Sequence, residues 1–91
     1  MPAARSEMSA AQDWYERKAG GLGRKFRDEA DFQINRIAAN PLQFPEILTG
    51  VRRARLRRFP YGLFFRLLPD AVYVIACFHS SRDPLIWQSR I

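Results

Sequence analysis

Cysteine is almost absent from this 91-residue sequence. Cys77 stands alone inside an apolar run, which excludes an intrachain disulfide and fits a reducing compartment, the cytoplasm. A thiol in that setting reads as buried and inert, not reactive. Histidine is equally scarce. His79 is the only one, and with a single cysteine and scattered carboxylates it makes no metal-ligand constellation. No Ser-His-Asp or Cys-His arrangement and no carboxylate pair is legible, so hydrolytic chemistry of the usual kinds has no support. Histidine is the residue type that general acid–base work most often uses, but for His79 a structural role at a strand end is the plainer reading. No secretory signal is visible, and no apolar stretch approaches the roughly 18 residues of a membrane span. The glycines of Gly20-Gly21-Leu22-Gly23 lack the lysine and Ser/Thr spacing of a phosphate-binding loop, which leaves a turn between helices. No cofactor is implied.

Acidic residues are also missing where basic ones crowd. Residues 51–66 contain six arginines and no carboxylate. Residues 1–50 carry seven basic and seven acidic side chains, whereas residues 51–91 carry eight and two, so the whole net charge of +6 lies on the second part. Thirteen of the fifteen basic residues are arginine, the type suited to bidentate contact with phosphate or carboxylate. Alternation in a strand puts Arg53, Arg55 and Arg57 on one face and turns Ala54 and Leu56 into a core. An ordinary solvated face mixes signs. This one is expected to meet a polyanion or an acidic partner.

Apolar residues make up 47% of the chain, enough for one modest core and hence a single domain over residues 1–91. Residues 3–18 read as a helix with Ala4, Met8, Ala11 and Tyr15 on one face. Residues 22–39 read as a second, with a stripe of Leu22, Phe26, Ala30, Ile34, Ile37 and Ala38, ended by Asn40-Pro41. Residues 41–50 read as a loop, with Phe44 and Ile47 tucked onto the core. Three strands follow, at about 51–58, 61–68 and 72–79, with a turn at Leu68-Pro69-Asp70-Ala71. In the last strand Val72/Val74/Ala76/Phe78 and Tyr73/Ile75/Cys77 form two apolar faces, which predicts a central strand covered on both sides. Asp83-Pro84 signals a short final helical turn through Trp87. The fold class is therefore α+β: an N-terminal helical hairpin on a small, mostly antiparallel three-stranded sheet, with a short C-terminal helical turn. Trp14, Tyr15 and Trp87 could stack on bases, but packing is the plainer role.

The order and spacing of Asp13-Trp14-Tyr15-Glu16, Gly21-Leu22-Gly23, Phe26, Ile37, Asn40-Pro41, Phe44-Pro45, Arg57-Arg58-Phe59-Pro60-Tyr61, His79, Arg82-Asp83-Pro84 and Trp87 resemble the RelE/ParE toxin family of bacterial type II toxin–antitoxin modules, over almost the whole chain. Members typically open with a short strand ending in a proline ahead of the Asp-Trp-Tyr position. That proline corresponds to Pro2, so the first strand is expected to be missing and a sheet edge bared, at a cost in stability and solubility. A truncated, non-toxic remnant that still binds antitoxin is one reading. In the RelE branch, which cuts mRNA on the ribosome, basic groups activate the ribose hydroxyl and stabilise the phosphorane. Arg53, Arg55 and Arg82 would be the catalytic residues under that resemblance. Gly62, however, stands where that branch has a further arginine, and arginine is a poor base. The resemblance leans to the ParE-like branch, a binding poison of DNA gyrase and not an enzyme, serving plasmid stabilisation. It implies a hetero-oligomer with a cognate antitoxin, gyrase or the ribosome as target, and contacts from Arg53, Arg55, Arg57, Arg58, Arg82 and Trp87.

Overall fold

The computed structural model describes residues 2–80. Helices α1 (Pro2–Lys18) and α2 (Leu22–Ala39) form the expected hairpin. Its tight corner depends on two features of the sequence. Glu16, in the last turn of α1, accepts hydrogen bonds from the backbone N–H groups of Gly21 (2.9 Å) and Gly23 (3.0 Å), so a carboxylate from one helix caps the N-terminus of the next. Gly23 then lets the helices touch. A Cβ there would lie 2.6 Å from the Gln12 carbonyl oxygen and 2.9 Å from Glu16 Cβ. Alanine is the better helix former by about 1 kcal/mol, but the obstacle is backbone. Gly23→Ala is therefore expected to destabilise the protein by about 1–3 kcal/mol in a urea melt; a gain in stability would show that the corner can relax.

Among the described residues the sheet has four strands, not three: β1 (Glu46–Leu48), β2 (Val51–Arg55), β3 (Tyr61–Leu68) and β4 (Ala71–His79), in the order β1-β2-β3-β4 with every pairing antiparallel. The additional strand falls inside the expected loop. Gly50, at φ 78°, reverses the chain where a side chain would be strained. The Gly50 N–H donates to Glu46 Oε1 (3.2 Å), Arg53 N–H to the Pro45 carbonyl (3.2 Å) and Arg52 Nη1 to the Phe44 carbonyl (2.6 Å), which fastens β1 to β2.

The second strand is shorter than expected, ending at Arg55 and not at residue 58. Leu56 and Phe59 are both buried in the core beneath the helices. Residues three apart cannot both enter one face of an extended strand. The chain bends instead, with the Leu56 N–H bonded to the Tyr61 carbonyl (2.9 Å) and Pro60 at the corner.

The faces of β4 also differ from simple alternation. Phe64 pairs with Ala76 but Phe65 with Val74, so Ile75 is an extra residue in a β-bulge. Val72, Val74 and Cys77 therefore face the helices, while Ile75, Ala76 and Phe78 join Val51 and Phe64 on the other face. Among the described residues β4 is the last strand of the sheet, not a central one. The predicted C-terminal helical turn lies outside the described residues.

Phe26 centres the helix-side core, wholly buried between Tyr15, Phe59 and Tyr61 at ring separations of 5.4, 5.2 and 5.2 Å. Gln33 is the one buried polar side chain among the described residues. Its Nε2 donates to the Arg55 carbonyl (3.0 Å) and its Oε1 accepts from Arg36 (3.2 Å), which pins the end of β2 to α2.

Cys77 is buried and unbonded to any other cysteine. Burial, reinforced by the nearby Glu7 carboxylate, pushes its thiol up to about 12 from an ordinary value of 9.0. The resulting stability is complete below pH 9, where the unfolded thiol is still protonated. It falls as pH rises toward the folded value, by up to roughly 1.4 kcal/mol per unit. Cys77→Ala is expected to flatten the loss of stability between pH 9 and 11 in denaturant titrations; an unchanged slope would show that the thiol is not shielded.

Candidate functional site

Strand β2 alternates between two environments. Ala54 turns to the helices, whereas Arg53 and Arg55, paired with Phe64 and Gly62, project from the opposite face. The aliphatic stem of Arg53 runs across Gly62, where a Cβ would meet Arg53 Cγ and Cδ at 3.3 Å. Glycine at this position is thus a seat for the arginine beside it. The Arg53 Nε is shielded from solvent and has no hydrogen-bond partner among the described residues. Burial, and then the neighbouring Arg55 charge, lower the pKa of its guanidinium.

These two arginines open onto a concavity of about 430 Å³ at the end of the sheet, where β2 stops, β3 begins and β4 ends. Arg57, Arg58, Tyr61, His79 and the side chains of Phe64 and Phe78 complete much of the wall, and no carboxylate lines it among the described residues. Two of the acidic side chains of α2 are engaged on their own helix, in the Arg24–Asp28 (3.6 Å) and Arg27–Asp31 (3.2 Å) pairs. Neither Arg53 nor Arg55 has an ion-pair partner among the described residues. Like charges held together without counter-charges favour an anionic visitor.

Four of the expected site residues therefore meet at one cleft, but not as one strand face. Arg53 and Arg55 remain on the sheet. Arg57 leaves it at the bend and lies 5.0 Å over the exposed ring of Phe32 on α2, while the Arg58 N–H donates to Glu29 (2.6 Å). Arg82 and Trp87 lie outside the described residues. Trp14 is on the hairpin surface, with its ring edge-on to Tyr15 (4.9 Å) and under the Lys18 ammonium (4.8 Å). Tyr15 joins the aromatic cluster. Burial, and then Tyr61, raise its hydroxyl pKa.

His79 and Tyr61 are cleft residues that sequence reasoning did not place. Their rings meet edge-to-face at 5.2 Å as cross-strand partners. Pairing the tyrosine that opens one strand with the histidine that ends the next was the available signal. No group of three or more His, Cys, Asp or Glu among the described residues is placed to hold a metal ion. No described helix is long and apolar enough to cross a membrane.

A helical hairpin on an antiparallel sheet, with an arginine-lined cleft at the sheet end, defines a small α+β protein. The sequence matches the model of the family described as ParE toxin of type II toxin-antitoxin system, parDE, over residues 1–84. The chain belongs to this toxin family, and its class implies an antitoxin as partner. Neither the curated proteins nor the solved structures gave a match.

Proposed function

We propose that the protein arrests growth by binding DNA gyrase at the arginine cleft, that a cognate antitoxin neutralises it, and that the pair acts in the cytoplasm as a plasmid-stabilisation module. The observation that carries this reading is the pair Arg53 and Arg55, fixed on a strand, with no ion-pair partner among the described residues and facing a cleft that no described carboxylate lines. Such a surface steers and holds an acidic or phosphorylated target without chemistry. Gly62 supports binding over catalysis, because it leaves no charged group where the resembled ribonuclease branch carries an arginine.

A second reading is favoured by His79. It lines the same cleft as Arg53 and Arg55, as a general acid or base of a ribonuclease would. Induction in cells, with the DNA-damage response and translation followed together, separates the two. The gyrase reading expects a damage response with mRNA intact. Codon-specific mRNA cuts without a damage response would reverse the order. No growth arrest at all would support the non-toxic remnant.

A further inference from the structure

The arginine cleft has a neighbour. A second concavity, of about 390 Å³, lies between α1 and β4 and is lined by Glu7, Ala10, Ala11, Trp14, Tyr15 and Cys77, with Tyr61 and His79 forming walls of both hollows. The two are therefore arms of one groove that bends around the end of the sheet past the Tyr61–His79 pair. Their chemistry differs. The β2 arm is cationic. The α1 arm has an apolar lining but no arginine or lysine among the described residues: it is floored by small alanines and flanked by a half-exposed indole, and Glu7, which also lines it, accepts a hydrogen bond from the Cys77 N–H (3.0 Å).

That asymmetry selects the occupant. A nucleic-acid strand repeats its negative charge at every nucleotide, so a chain with one phosphate over Arg53 and Arg55 would carry the next toward Glu7. A polypeptide places a charge at one point and an apolar side chain at another. Arg55, Gly62 and Phe78 form one cross-strand row over β2, β3 and β4. Two strand spacings are about 10 Å, and the step past β4 into the α1 arm brings the path to about 15 Å, or about four or five residues of extended chain.

We propose that this bent groove is the seat of an extended acidic–apolar peptide of the antitoxin, with a carboxylate over Arg53 and Arg55 and a bulky apolar side chain about four or five residues away in the pocket between α1 and β4. The proposal rests on the antitoxin partnership of the family and deepens it. It does not depend on gyrase being the target.

The test is fluorescence anisotropy of the folded full chain with short synthetic peptides carrying one glutamate and one phenylalanine at every separation from adjacent to well apart. Affinity is expected to peak at separations of about four or five residues. Arg53→Ala with Arg55→Ala should weaken the best peptide about tenfold or more and flatten its salt dependence. Ala10→Trp, on the exposed side of α1, should fill the apolar arm and weaken binding by about tenfold with the salt dependence unchanged. Arg66→Ala, on the same sheet face but remote from the groove, should leave affinity as it was. Melting curves of each variant confirm that it is folded. Affinity independent of separation, indifference to Ala10→Trp, or a short single-stranded DNA oligonucleotide binding more tightly than the best peptide would each overturn the proposal. Separation-dependent binding by a protein that leaves gyrase untouched would instead overturn the gyrase reading alone.

Discussion

Reversing Arg53 and Arg55 together to glutamate is expected to abolish growth arrest and to weaken the complex with the antitoxin by about 100-fold or more. Neither guanidinium has an ion-pair partner among the described residues, so pairing with an anionic partner breaks no salt bridge within the protein. A hydrogen-bonded charge pair contributes about 1.5–3 kcal/mol, so two reach about 3 kcal/mol or more, and each 1.4 kcal/mol is about tenfold in affinity. Reversal adds repulsion to that loss. The fold should survive, because Arg55 is exposed and Arg53 only half-buried. Calorimetric titration of the variant, at low and high salt, measures the effect. Affinity and salt dependence equal to those of the unaltered protein would remove β2 from the interface.

Phe26→Ala carries the largest expected effect on stability. The ring is wholly buried and touches Tyr15 from α1 and Phe59 and Tyr61 from the sheet end, so its loss opens a hole where three elements meet. Truncating such a ring costs about 3–5 kcal/mol. Domains of this size have only about 5–15 kcal/mol in total. At about 4–8 °C per kcal/mol, the melting temperature should fall by at least ~12 °C. Because Tyr61 also lines the cleft, the variant should lose function through its fold. Phe32→Ala is the matching control on the same helix. Phe32 is exposed and lies under the Arg57 guanidinium at the surface, so the change should cost well under 1 kcal/mol. Similar melting of the two variants would mean that Phe26 is not the keystone of the core.

The helices were legible because each carries a long stripe at helical spacing, and the hairpin strands because branched and aromatic residues flank a clear turn. What escaped reading depends on contacts between distant residues. The three-residue strand β1 gives no pattern of its own and exists because Gly50 folds it back on β2. The end of β2 at Arg55 is set by two core demands, at Leu56 and Phe59, that an extended chain cannot meet at once. The bulge at Ile75 exchanges the faces of β4, and no local signal in an all-apolar strand marks it. In the site, Arg53 and Arg55 followed from alternation alone. Arg57 did not, because the bend carries it to Phe32. The role of Gly62 appeared first as a missing arginine. In the structure it is the surface over which Arg53 lies.

The most direct test of a binding poison is a gyrase supercoiling assay with the purified protein, run with and without antitoxin. Supercoiling should fail as the protein is added, cleaved DNA should accumulate on the enzyme, and antitoxin or the Arg53→Glu, Arg55→Glu double variant should restore activity. Full supercoiling in the presence of excess folded protein would contradict the account.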